Sequence, residues 1–221
     1  MAKAKQVKDT RERIVQTAIE LFWLKGYGAT GMAEILERAQ ANSGSFYHFF
    51  RSKEELLLAV LDRYVEMLYP ALVEPACRGV TDPVERIFAL LARYRLGLLQ
   101  TECTYGCPIG RLALEVSPDL REAHQKMAAN FDGWTEAVRD CLEEAGPRFP
   151  ANVDKKKLAR LVLSVMEGGV MQSRSHRSVE PFDDSVELLR DYFNRLLGNP
   201  AAATPETSRG PQSSAKEEKP E

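Results

Sequence analysis

The sequence predicts an all-α protein in two parts, an N-terminal three-helix helix-turn-helix unit followed by a larger C-terminal helical domain. Three observations carry this. Apolar residues recur at i, i+3, i+4, i+7 through nearly every segment, β-branched runs are few, and capping residues, prolines and glycine stops punctuate the pattern. With 221 residues and 44% apolar content the chain can hold a small domain plus a larger core, but not three ordinary domains.

In order, Thr10 is expected to cap a helix to about Lys25, with Ile14, Ala18, Leu21 and Phe22 on its apolar stripe, and Gly26-Tyr27-Gly28 to stop it. Thr30 caps the next helix, Met32 to Ala39, which places Met32, Ile35, Leu36 and Ala39 on one face. After a three-residue break, Asn42 caps a helix of about two turns, because Arg51-Ser52 precedes a fresh capping pattern at Ser52-Lys53-Glu54-Glu55. A fourth helix then runs through Leu56, Leu57, Val60, Tyr64 and Leu68 until Pro70.

Asp82-Pro83 opens a helix through Ile87, Leu91, Tyr94 and Leu98 to about Thr101. Gly106, Pro108 and Gly110 break the pattern before a short helix over Ile109 to Val116. Ser117-Pro118-Asp119 repeats the cap-and-proline signal for a long helix to Glu144, closed by Gly146-Pro147. Asp154 starts another through Leu158, Val162 and Met166 to near His176. The last covers Pro181 to Leu197, with Val186, Leu189, Phe193, Leu196 and Leu197 on one stripe. The tail, residues 198–221, is rich in Pro, Ser, Glu and Lys and reads as disordered.

The two-turn helix divides its labour in a way a purely structural helix does not. Phe46, Phe49 and Phe50 supply an apolar anchor, while Ser43, Gly44 and Ser45 keep the opening turn small and uncharged. A helix entering a major groove needs that arrangement, since bulky groups at its N-terminus hold the backbone away from base edges. Tyr47, His48 and Lys53 are then placed to meet phosphates.

Charge agrees weakly. The net charge is −2, but residues 1–55 carry nine Lys/Arg against seven Asp/Glu, with Lys3, Lys5 and Lys8 in the N-terminal arm. No stretch approaches eighteen consecutive apolar residues and the N-terminus has no apolar h-region, so a cytoplasmic protein without membrane association is expected. Four cysteines and three histidines show no metal-ligand spacing, so neither metal nor cofactor is expected. No P-loop, dinucleotide fingerprint, paired carboxylates or serine nucleophile motif stands out.

From Gly44 through Glu55 the sequence resembles the TetR/AcrR family of one-component repressors, whose pattern is a small-residue turn running into an apolar-Tyr-His-aromatic-Phe segment and Ser-Lys-Glu. Two positions depart from it. Gln40 stands where the turn glycine is usual, which costs stability if its φ is positive, and Ser43 replaces a basic residue or proline. The resemblance implies a DNA-binding domain over residues 1–56, with Thr30, Asn42, Ser43, Gly44, Ser45, Tyr47, His48 and Lys53 at the DNA and the Thr30 hydroxyl on a phosphate. It implies a ligand-binding and dimerisation domain over 57–197. The protein is expected to be a homodimer that binds palindromic double-stranded operator DNA and responds to a small-molecule effector.

Two further features follow from that likeness. Glu102 to Leu112, with the later run Glu115-Val116-Ser117-Pro118-Asp119-Leu120-Arg121, resembles the NemR-like branch, regulators of electrophile and drug response. Cys103 and Cys107 then read either as exposed reactive thiols, with Arg111 lowering a thiolate pKa, or as small apolar fillers. Phe88, Tyr94, Phe131, Trp134 and Met166 read as core or as effector-pocket lining. Gly168, Gly169, Leu189, Phe193 and Leu196 are expected at a dimer contact formed by the last two helices. The alternatives of another class are a helical thiol-dependent enzyme using Cys107 and an interaction module that does not bind DNA.

Overall fold

The computed structural model describes residues 2–198, with side chains from Asp9 onward. The tail expected to be disordered, and the side chains of Lys3, Lys5 and Lys8, lie outside the described residues. The described chain is helical with no strand: α1 Ala2–Lys25, α2 Met32–Arg38, α3 Ser43–Phe49, α4 Lys53–Met67, a π-helical turn Leu68–Val73, α5 Glu74–Cys77, α6 Pro83–Gln100, α7 Pro108–Glu115, α8 Arg121–Ala145, α9 Lys155–His176 and α10 Glu180–Leu196.

Most boundaries are local chemistry made visible. Asp82 Oδ1 accepts from the amides of Val84 (2.7 Å) and Glu85 (3.2 Å), with Pro83 at the first helical position, where a missing N–H costs nothing. Asp154 Oδ1 accepts from Lys157 N at 3.0 Å. Ser52 Oγ accepts from Glu55 N at 3.3 Å, and the Glu55 carboxylate reaches back to Arg51 N at 2.6 Å, one residue before the cap.

Four expected boundaries are corrected. Thr10 does not cap α1, because the helix begins at Ala2 and Thr10 lies inside it. Thr30 does not cap α2, whose N-cap is Gly31 without a side-chain hydrogen bond. Pro70 does not end the helical path. Its ring removes an amide from the i→i−4 ladder, and the chain absorbs the loss by widening into the π-helical turn before resuming at α5. Ser117-Pro118 does not open α8. Ser117 Oγ instead accepts from Asp119 N in a turn, and the helix starts four residues after the serine, at Arg121.

Two apolar cores result. The first joins Ile14, Leu21 and Phe22 of α1, Ile35 of α2, Phe46 and Phe50 around α3, and Leu56, Leu57, Val60 and Leu61 of α4. It continues into α7 and the start of α8 through Ile109, Leu112, Ala123 and Met127, so α4, α7 and α8 lock the N-terminal unit to the rest. The second packs α6, α8, α9 and α10 around Phe88, Leu91, Trp134, Val138, Val162, Phe182 and Phe193. Between α9 and α10 the approach is close enough that a Cβ on Gly169 would meet the Phe182 backbone at 3.2 Å.

Candidate functional site

The first site is the exposed face of α3. Asn42 caps the helix, its Oδ1 accepting from Ser45 N at 2.8 Å, and Ser43 and Gly44 stand exposed at the opening turn with Ser45 half-buried behind them. Phe46 and Phe50 are buried, their rings 5.6 Å apart, while Tyr47 is 67% exposed and His48 is also exposed. The helix is thus pinned by one side and open on the other. Burying Phe46 contributes about 1.5–3 kcal/mol, enough to hold so short a helix that has little stability of its own.

The α2–α3 turn explains how a non-glycine residue is tolerated. Gln40 has φ +50°, Gln40 N donates to Glu37 O (3.1 Å) and Ala41 N to Leu36 O (2.9 Å), the paired bonds of a Schellman close. Arg13 Nε adds a bond from α1 to Ala39 O at 3.0 Å. The left-handed residue costs about 1 kcal/mol or somewhat more, and these bonds offset it by satisfying the last carbonyls of α2.

One expected DNA contact is corrected, and a second has an intramolecular partner. Thr30 is 1% exposed and its hydroxyl donates to Gly26 O (2.7 Å) and Leu21 O (3.3 Å), closing the end of α1 inside the protein, so it is turned away from any phosphate. Lys53 Nζ donates to Tyr27 O at 2.6 Å and lies 4.3 Å from the Tyr27 ring centroid. Burial lowers the pKa of its ammonium and raises that of the Tyr27 phenol to about 12. Its head is therefore held by the protein at the base of the helix-turn-helix and does not extend freely.

The second site is a cavity of about 220 Å³ bounded by α4, the π-helical turn, α6, α7, α8 and α9. Tyr94, Phe131, Trp134, Met166 and Cys107 line it, together with Tyr64 and Glu167. Phe88 does not: it is core, edge-on to Phe193 at 5.4 Å, with the Arg190 guanidinium stacked 3.7 Å over its ring. Glu167 and Tyr64 carried no sequence motif. A lone glutamate one turn of helix before the apolar Val170 and just after Met166 was the available signal.

The cysteines differ from the exposed pair considered above. Cys103 is 4% exposed and belongs to the second core. Cys107 caps α7, its Sγ accepting from Gly110 N at 3.5 Å, and burial followed by the facing Glu167 carboxylate pushes the thiol pKa well above its ordinary value. That is the reverse of an activated thiol. Arg111 does not assist it, because its guanidinium is engaged elsewhere.

Arg111 instead closes the C-terminus of α1. Nη1 donates to Trp23 O and Leu24 O (both 3.2 Å), Nη2 to Lys25 O (2.6 Å), and Nε pairs with Glu115 Oε1 (2.6 Å). A cation on the last carbonyls of a helix is the favourable sign for its dipole. Trp23 answers from α1, its Nε1 donating to Gly106 O at 2.8 Å, just before Cys107. The cavity wall at Cys107, Pro108 and Ile109 and the end of α1 are thus joined through one short helix.

The dimer expectation is corrected at Phe193. Phe193 (1% exposed) lies in the core of its own chain, whereas Leu189 (4% exposed) and Gly169 pack inward, the glycine against Phe182, and also border a groove between α9 and α10. Leu196 is half-buried against the same core. Gly168 faces open space, on a shallow apolar groove with Leu161, Val165, Leu188 and Tyr192, of which Leu188 is 71% exposed.

Among the described residues no helix is long and apolar enough to cross a membrane, and no group of three or more His, Cys, Asp or Glu could hold a metal ion. Residues 14–60 match the family described as "Bacterial regulatory proteins, tetR family", and residues 83–187 match "Transcriptional regulator LmrA/YxaF-like, C-terminal domain". The chain is 34% identical over 177 residues to the uncharacterized HTH-type transcriptional regulator YxaF of Bacillus subtilis, covering 78% of this chain and 89% of that one. It is 27% identical over 199 residues to the HTH-type transcriptional repressor NemR of Escherichia coli (87% and 96% covered). The crystal structure of reduced E. coli NemR superposes with a TM-score of 0.71, covering 87% of this chain and all of that one. With an exposed, anchored recognition helix and these likenesses, the chain belongs to the TetR family of transcriptional regulators and is a DNA-binding regulator.

Proposed function

We propose that the protein is a cytoplasmic, effector-responsive repressor that binds two-fold symmetric operator DNA as a homodimer. The observation that carries the reading is the two-sided α3, with Phe46 and Phe50 seated in the first core and Ser43, Gly44, Tyr47 and His48 facing out. Small residues at the N-terminus of such a helix let the backbone approach base edges, and Tyr47 and His48 take phosphates on either side. Lys53 contributes field and shapes the Tyr27 turn. In this division residues 1–56 read DNA and 57–197 hold the effector and the partner.

Two recognition helices must sit roughly 34–36 Å apart to enter successive major grooves, which requires a dimer. The groove of Leu161, Val165, Gly168, Leu188 and Tyr192 on α9 and α10 is the self-complementary face we assign to it. An effector in the cavity presses on α7, and Arg111 and Trp23 carry the displacement to the end of α1. It weakens DNA binding only by favouring the spacing that does not fit the operator.

Footprinting the purified protein on the DNA upstream of its own coding region tests this. Two protected half-sites about one helical turn apart are expected. Leu188→Glu should sediment as a monomer and lose the footprint. Protection of a single half-site by the wild type, or dimers persisting in Leu188→Glu, contradicts the corresponding part.

A further inference from the structure

The cavity states what it will accept. Among the described residues three buried side-chain polar atoms lack a hydrogen-bond partner, Tyr64 Oη, Trp134 Nε1 and Glu167 Oε1, and all three belong to residues lining this one cavity. Trp134 Nε1 interacts with the Tyr94 hydroxyl, and the Glu167 carboxyl with the Cys107 thiol, yet Trp134 Nε1 and Glu167 Oε1 have no partner in good hydrogen-bond geometry. Leaving a buried polar atom unpaired costs about 1–3 kcal/mol, so three around one space call for partners that enter it, water in the empty cavity and an effector in the filled one.

The signs of these groups narrow the occupant. Glu167 is the lone carboxylate of the lining, and no lysine, arginine or histidine shares the cavity with it. Its Oε2 sits over Gly110, where a Cβ would lie only 2.5 Å away, so the glycine makes room for the carboxylate. Arg111, the residue after that glycine, spends its guanidinium on the end of α1 and Glu115. Four aromatic rings, those of Tyr64, Tyr94, Phe131 and Trp134, form the remaining polarisable wall. A ring face attracts cations, by about 0.5–2 kcal/mol per contact once water is excluded. An anion meets a carboxylate and ring faces with no counter-charge, and a neutral apolar molecule leaves Glu167 Oε1 unpaired.

We propose that the effector is a small organic monocation, an aromatic or apolar body bearing a protonated amine that donates to Glu167 Oε1 and lies against the Tyr94, Phe131 and Trp134 rings. This rests on the cavity being the effector site. Burial raises the pKa of the empty Glu167 carboxyl, so an arriving ammonium also supplies the charge that ionises it. The cavity's size, on the order of seven waters' share of liquid volume, suits a molecule of one ring and a short chain.

Isothermal titration calorimetry of the full chain at pH 7.5 with 4-phenylbutylamine, 4-phenyl-1-butanol and 4-phenylbutyrate, one body with three heads, decides it. The amine should bind at least tenfold more tightly than the alcohol, and the carboxylate should give no binding. Glu167→Gln should erase the amine's advantage while changing the alcohol's affinity by less than about twofold. Phe131→Leu should cost the amine severalfold more than the alcohol, which keeps the test decisive should Glu167→Gln fail to fold by circular dichroism. Equal or tighter binding of the alcohol or carboxylate, an amine preference surviving Glu167→Gln, or no binding of any probe overturns the proposal. Retention of DNA is scored separately: amine binding that leaves DNA affinity unchanged upholds the cation site and sinks the release mechanism instead.

Discussion

The recognition helix and the cavity are built by opposite means. Everything that makes α3 a candidate reader lies between Asn42 and Ser52, a cap, three small residues, buried Phe46 and Phe50 flanking exposed Tyr47 and His48, and the next helix's cap. The cavity is assembled from side chains a hundred residues apart, Tyr64 to Glu167, on six elements, and it exists because their packing stops short of contact. A site on one face of one element is written contiguously. A cavity is written as a shortfall in packing, which no single segment records.

The largest effect that would break the comparison is at neighbouring residues of α3. Phe46→Ala should destabilise the protein by about 3–5 kcal/mol, because a fully buried ring leaves a cavity in the first core. Tyr47→Ala should leave thermal stability unchanged within about 0.5 kcal/mol yet weaken DNA binding. Similar melting losses for both in a calorimetric scan would mean that α3 does not have two independent sides.

A smaller effect separates the paired glycines of α9. Gly169→Ala forces a methyl against Phe182 and should cost about 1–3 kcal/mol, while Gly168→Ala meets open space and should leave the protomer equally or more stable, by up to about 1 kcal/mol from helix propensity. Urea unfolding of both variants with dimerisation blocked by Leu188→Glu measures it. Equal destabilisation by the two would refute the assignment of their faces.

Smaller again is the pH response of the cavity. With its carboxyl pKa raised by burial, Glu167 holds a proton in the folded state at pH values where the unfolded chain has released it. Stability conferred at low pH is therefore lost as pH rises from the ordinary carboxyl range through the raised value. Glu167→Gln should flatten that decline and make the protein more stable than wild type at pH 7.5. Parallel stability curves for the two proteins across pH 4 to 8 would place the Glu167 carboxyl in an ordinary environment.

How legible each part was follows from the same contrast. The caps at Asn42, Ser52, Asp82 and Asp154 are one-residue signals acting over three residues, and the structure has each in place. Thr30 was misplaced because a threonine before a helix reads as a cap, whereas tertiary packing gives its hydroxyl to the carbonyls of Leu21 and Gly26. Phe193 is on the expected helix but on its inward side: periodicity marks an apolar stripe but does not say whether the chain or its partner covers it. Arg111 stands one helical turn after Cys107 in sequence. Its true partners, at Trp23 to Lys25, are reached only once α7 docks on α1.

The measurement that tests the central claim most directly is DNA binding by the α3 face as a function of salt. Double-stranded DNA enriched from a randomised pool by the wild-type protein should be titrated from 50 to 200 mM KCl against wild type and the Tyr47→Ala/His48→Ala double variant. The account predicts a two-fold symmetric enriched site, affinity that falls log-linearly with salt, and a shallower slope in the double variant, by about 0.9 for each phosphate contact removed. No enriched sequence, or a double variant that binds with wild-type affinity and slope, would contradict it.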